Sequence, residues 1–184
     1  MIIDTHCHFD FKDFDVDRDA ALERAKAAGV VRIINVGSSI EGSRRSVELA
    51  QKYGMVYASV GVHPHEAKSL TPDVIVEIKS LASHPKVVAI GEVGLDYYRN
   101  LSPKDSQIAA FETFIALSGE LDLPLIIHAR ECGFDAASIL KKIRKCSAIQ
   151  GVIHCFSGDK ESLKKYLDLG LYISFTCNLT FKNA

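Results

Sequence analysis

The chain has 184 residues, 47% of them hydrophobic, with a formal charge of -1 and a pI near 6.6. That length and apolar content suit one substantial core, so a single domain over residues 1–184 is expected. The near-neutral balance excludes a basic protein that coats nucleic acid through bulk charge, and leaves a local positive groove open.

The first apolar run begins directly after Met1, and no run approaches transmembrane length. A chain without a signal peptide or membrane partner, located in the cytoplasm, is therefore expected. Cys7, Cys132, Cys146, Cys155 and Cys177 are odd in number and contain no C-x-x-C spacing, which predicts reduced thiols rather than disulfides or a zinc knuckle.

In chain order, apolar periodicity alternates between strand and helix, the pattern of repeated βα units on a parallel sheet. The first strand covers Ile2 to Thr5. Asp19 to Ala28 follows as a helix closed by Gly29, then a strand from Val30 to Val36. Ser39 to Tyr53 reads as a helix stopping at Gly54, ahead of a third strand from Met55 to Val60. Thr71-Pro72 has the form of an N-cap followed by proline at the first helical position, opening a helix through Leu81. Ser102-Pro103 repeats that device before a long helix from Lys104 to about Leu121. The fourth, fifth and sixth strands are expected to end at Glu92, His128 and His154, and His84 lies in the turn before the fourth. Asp159 caps the next helix, Gly170 ends it, and Leu171 to Phe175 is the seventh strand.

Seven strands in such a series predict a TIM-type (β/α)8 barrel, C-terminally truncated so that about seven βα units are present. Barrels of this kind usually need about 250 residues. An unclosed barrel leaves two edge strands with unpaired backbone groups, so self-association through those edges is expected.

His6, His8, Glu92, His128 and His154 each stand at or just past a strand end. Residues two apart on a strand point to one side, so both imidazoles of His6-Cys7-His8 can reach one ion. All five are candidate metal ligands, and alternation turns Cys7 and Cys155 away from the site. Mixed imidazole and carboxylate ligation suits zinc or manganese, whereas magnesium prefers an oxygen-rich shell.

The motifs Thr5-His6-Cys7-His8, Gly61-Val62-His63-Pro64-His65, Gly91-Glu92-Val93-Gly94-Leu95-Asp96, Ile127-His128-Ala129-Arg130, His154-Cys155-Phe156-Ser157-Gly158 and Thr180-Phe181-Lys182-Asn183-Ala184 occur in this order. The chain thereby resembles the TatD family of metal-dependent deoxyribonucleases, within the amidohydrolase superfamily. The resemblance implies a divalent-metal hydrolase that cuts phosphodiester bonds and typically trims DNA from the 3′ end, with two metal ions (Zn, Mg or Mn) as cofactors. It implies His6 and His8 as ligands of a first ion, Glu92 as a bridging carboxylate, and His128 and His154 as ligands of a second. Glu92, His128 and His154 become the expected catalytic residues. The family's remaining ligand, an aspartate on an eighth strand, is not reached.

The expected substrate is DNA or a nucleotide end. Arg130 and Lys182 are placed to hold flanking phosphates, and Tyr97, Tyr98 and Phe156 to stack a terminal base. Plainer roles stay open beside these. Arg130 can pair with Glu131 or Asp135, the tyrosines can pack their loop, Ser157-Gly158 can be a helix-entry turn, and His63 and His65 can contact phosphate or merely shape a loop. Two other functions also stay open: an amidohydrolase acting on a small amide, ester or lactone, and a non-catalytic remnant. The first would commonly bridge its metals with a carboxylated lysine where this chain has Glu92.

Overall fold

The computed structural model describes residues 1–143 and 150–182. Cys146 lies outside the described residues; Cys7, Cys132, Cys155 and Cys177 are free thiols, as expected. Strands β1 (Ile2–Cys7), β2 (Val30–Val36), β3 (Val56–Val60), β4 (Val87–Asp96), β5 (Leu125–Arg130), β6 (Gly151–His154) and β7 (Tyr172–Ile173) form one sheet in sequence order. Every neighbouring pair is parallel. Between them run α1 (Arg18–Ala27), α2 (Ile40–Lys52), α3 (Pro72–Ala82), α4 (Lys104–Leu121), α5 (Asp135–Ile143) and α6 (Lys160–Asp168). This α/β architecture holds seven of the eight strands of a (β/α)8 barrel.

Local chemistry sets the helix starts. Ser39 Oγ accepts from Gly42 N at 3.0 Å, Thr71 Oγ1 from Val74 N at 3.3 Å, and Asp159 Oδ1 from Ser162 N at 2.7 Å. Each satisfies an N–H that the helix leaves without a carbonyl partner. After α1, Gly29 turns the chain at φ +92°, a region costly for residues with a Cβ. The expected cap at Ser102 differs. Its hydroxyl instead donates to His65 O at 2.7 Å and accepts from Lys68 N at 3.1 Å, and α4 begins after Pro103 without a side-chain cap.

The sheet has two apolar faces. Outside, Ile33, Ile78, Phe111, Phe114, Leu125 and Ile127 belong to the large core between strands and helices. Inside, Val36, Ala89 and Ile126 pack together with Ile34 and Val152. Contact among residues from separated strands requires a curled sheet, and the rings at the strand ends show how far it curls. In a flat sheet β1 and β6 would be about 24 Å apart, five spacings of about 4.8 Å, yet the His6 and His154 rings stack with centroids 3.3 Å apart.

Four strand ends differ from expectation, the first being β1, which runs past Thr5 to Cys7. Strand β4 runs four residues beyond Glu92, to Asp96, because it keeps pairing with β5 as far as Asp96↔Arg130. Strand β5 likewise reaches Arg130. Strand β7 is confined to Tyr172–Ile173, where its pairing with β6 lies. Among the described residues no helix is long and apolar enough to cross a membrane.

Candidate metal centre

Period two along the strands carries the inner apolar face directly into the site. His128 lies two residues past Ile126, and His154 two past Val152, both on that face. Glu92 needs a further device. Strict alternation from inward Ala89 would send it outward, but the β4–β5 register shifts between Ile90 and Val93, so Ile90 and Val93 both join the outer core while Glu92 turns in. The neighbouring glycine is required sterically, since a Cβ at Gly91 would stand 2.6 Å from Ile126 Cβ.

Ligand atoms converge around Glu92. His6 Nε2 lies 3.2 Å from His8 Nε2 and 3.5 Å from Glu92 Oε2, while His128 Nδ1 lies 3.0 Å from Glu92 Oε1. Among the described residues, two groups have ligand atoms all within 4.8 Å of one another: His6, His8 and Glu92, and His63, Glu92 and His128. Each carboxylate oxygen therefore serves one group. Nitrogen and carboxylate donors facing each other across such distances fit divalent cations, with zinc and manganese favoured by the imidazoles.

Hydrogen bonds orient the rings. His8 Nδ1 donates to Val36 O at 2.9 Å, turning Nε2 toward His6 and Glu92. Asp96 Oδ2 lies 3.1 Å from His128 Nε2 and 2.9 Å from His65 Nε2. A cleft of about 580 Å³ opens beside these groups, lined by His8, Phe11, Ser39, His63, His65 and Glu92 among others.

Burial and neighbouring charge tune the groups in opposite senses. Burial alone would raise the Glu92 carboxyl, but hydrogen bonds from His128 and His6 outweigh it and hold Glu92 well below the ordinary glutamate value. Burial pushes His63 down to about 3, and burial with the nearby His6 pushes His154 down to about 4. His8 is lowered by burial and by His6. These three imidazoles are neutral at pH 7, the form that binds metal. His128 is the exception: burial would lower it, yet Glu92 and Asp96 together raise it.

Of the five expected ligands, His6, His8, Glu92 and His128 supply converging atoms, while His154 meets the cluster through its ring face against His6. Two residues gain importance that the sequence reading did not give them. His63 has a ligand atom within reach of Glu92 and His128, and Asp96, only 1% exposed, braces two histidines. Position would have found both, since His63 follows β3 as the other candidates follow their strands, and Asp96 is two periods of two beyond Glu92 on β4.

The other expected contacts divide. Arg130 pairs with neither Glu131 nor Asp135, and its guanidinium carbon stands 3.9 Å from the centroid of the exposed Tyr98 ring. Asp135 instead accepts from Tyr97 Oη at 3.1 Å, with Lys104 over the Tyr97 ring, so that ring is engaged in its loop. Phe156 is core, 8% exposed and edge-on to Tyr166 and Phe175. Lys182 is exposed beyond the short turn Cys177–Thr180. His84 sits in its expected turn, with Nδ1 accepting from Lys86 N at 3.2 Å, and burial raises the Cys7 thiol, whose sulfur lies 3.6 Å from Ile34 O.

Comparison with known proteins agrees with this geometry. The chain is 42% identical over its full length to the uncharacterized metal-dependent hydrolase YabD of Bacillus subtilis (strain 168), of which it covers 72%. It is 42% identical over 164 residues to the 3′-5′ ssDNA/RNA exonuclease TatD of Rahnella sp. (strain Y9602), matching 89% of this chain and 62% of that protein. The crystal structure of YJJV, a TatD homolog from Escherichia coli K12, superposes with a TM-score of 0.90 at 32% identity, covering all of this chain and 71% of that one. The family model described as TatD related DNase matches residues 3–184, and the chain belongs to that family.

Proposed function

We propose that this chain carries the active site of a divalent-metal-dependent nuclease that hydrolyses phosphodiester bonds of DNA, trimming from the 3′ end. The observation that carries the reading is Glu92, whose two carboxylate oxygens each face a separate group of imidazoles at the mouth of a cleft. Paired cations held there would supply a water nucleophile at neutral pH and positive charge against the non-bridging phosphate oxygens.

The protein's own groups then have distinct tasks. His6 and His8 with one oxygen of Glu92 form one cradle. His128 with the other oxygen forms the second, completed by His63, which the geometry favours, or by His154, which family resemblance favours. His65 lines the cleft where a phosphate would lie, and Phe11, 46% exposed and stacked on His8, offers a base a flat face. Arg130 lines a neighbouring cleft of about 560 Å³ with Ser157 and Gly158, a place for a flanking phosphate. Lys182 is assigned the same task on its charge alone. Free cysteines fit a cytoplasmic setting. Exposed Ile2 and Ile3 on β1 and Tyr172 on β7 support self-association through the sheet edges.

The test uses 3′-accessible single-stranded DNA with Mn²⁺ or Mg²⁺, comparing this chain, a form extended through the family's eighth strand, and Glu92→Gln in each. Nucleotide release from the 3′ end, abolished by chelator and reduced at least about 100-fold by Glu92→Gln, is expected of the form with the complete ligand set. Failure of both forms on DNA, while either hydrolyses an amide or lactone, would overturn the nuclease reading. Metal binding without any hydrolysis would leave a non-catalytic metal protein.

A further inference from the structure

We propose that Asp96 is the positioning residue of the His128 half of the centre: it fixes the proton of His128, and that of His65, on Nε2, and so presents His128 Nδ1 to Glu92 and to a cation beside it. The inference rests on the metal-centre reading only for its consequence. The proton on Nε2 follows from the hydrogen bonds alone; a free Nδ1 lone pair needs the cation.

An ionised carboxylate can only accept, and one buried to 1% exposure must be supplied with donors. Asp96 Oδ1 takes the Arg99 N–H at 2.8 Å. Its Oδ2 has two neighbours, His65 Nε2 at 2.9 Å and His128 Nε2 at 3.1 Å. Both nitrogens must therefore carry hydrogen. In the metal-free chain His128 Nδ1 donates in turn to Glu92 Oε1 at 3.0 Å, and a cation bound between them would take the place of that proton, leaving the one on Nε2. A metal-binding histidine is commonly held this way, its outer N–H anchored by a carboxylate.

The anchor is itself anchored. Gln107, fully buried on α4, accepts the Asp96 N–H through Oε1 at 2.8 Å and donates from Nε2 to Asp96 O at 3.1 Å. The same Nε2 reaches Ser102 O at 2.8 Å, and the Ser102 hydroxyl donates to His65 O at 2.7 Å. A continuous strut thus runs from the helix layer through Gln107 and Asp96 to the two rings. A buried glutamine and aspartate are costly in a core without such partners, and here both serve the site.

Imidazole ¹⁵N spectra of the Zn²⁺-loaded chain test the placement without any variant. His65 and His128 should each show a single tautomer protonated at Nε2. In Asp96→Asn the amide can accept from one ring while its NH₂ faces the other, so at least one ring should become a mixture of tautomers. Zn²⁺ titration of the same proteins should show the site containing His128 weakened roughly 10- to 100-fold by Asp96→Asn, while binding at His6 and His8 changes by less than about threefold. Gln107→Glu, which removes the donor to Asp96 O, should shift both readouts the same way by a smaller factor. A Zn²⁺-loaded wild type with His128 protonated at Nδ1 overturns the inference, as do unchanged tautomers and Zn²⁺ affinity in Asp96→Asn. If Asp96→Asn does not fold, the wild-type spectrum and Gln107→Glu decide. A wild type that takes up no Zn²⁺ but carries a proton on Nε2 of both rings would instead remove the metal-centre reading and leave the positioning role standing.

Discussion

Strand β4 is buried along nearly its whole length beneath α4, whereas β1 exposes Ile2 and Ile3 at 53% and 55% and β7 exposes Tyr172 at 79%. Both kinds of strand contribute to one site. His63, Glu92, Asp96 and His128 stand on or beside β3, β4 and β5, each flanked by strands on both sides, while His6 and His8 stand on or just past β1, which among the described residues pairs only with β2. The central half is braced by Gln107 reaching in from α4, whereas on the edge half His8 is held by the backbone carbonyl Val36 O. Preorganisation follows burial, so the two halves of the centre should respond differently to the same perturbation.

The sharpest contrast is in packing. Phe114, fully buried against the centre of the sheet, should cost about 3–5 kcal/mol when replaced by alanine, whereas Tyr172→Ala on the edge should stay within about 0.5 kcal/mol. Urea unfolding of the two variants compares them directly, and equal losses would remove the distinction between centre and edge.

Acid should act next most strongly. The unfolded chain protonates its histidines near pH 6.5, but His63 and His154 in the folded state resist protonation until about pH 3 and about pH 4. Between these values the unfolded state binds more protons, so the metal-free fold loses stability as pH falls from about 6.5 toward 4. His128 has the opposite sign. Its raised folded value stabilises the metal-free fold below about pH 6.5, and that contribution fades as pH rises through the folded value. Replacing His63 by Gln should flatten the acid side of the urea-midpoint profile, and replacing His128 by Gln should flatten the alkaline side. Matching profiles for the two variants would contradict the opposed environments.

Much of this was legible in the residues. The alternating periods reveal the parallel sheet, and period two pairs His6 with His8 and carries Ile126 to His128 and Val152 to His154. What stayed hidden depends on backbone detail. The inward turn of Glu92 comes from a register shift that alternation cannot express. Asp96 lies within a family motif, but a strand expected to end at Glu92 gives no sign that Asp96 shares its inner face. His63 is brought to the ligands because the chain turns sharply at Pro64, placing its ring 4.5 Å from that of His128. Ser102 looked like a helix cap, and only the approach of the His65 loop shows where its hydroxyl is used.

The shared carboxylate is the centre of the account, and metal content tests it most directly. Purified wild type, His128→Ala and Glu92→Gln should be loaded with Zn²⁺, dialysed and analysed for metal per chain. The wild type should retain one ion for each of its two ligand groups, His128→Ala should lose mainly one, and Glu92→Gln should weaken both together because each oxygen of Glu92 faces a different group. Equal stoichiometry in wild type and Glu92→Gln would contradict a carboxylate shared between two ions.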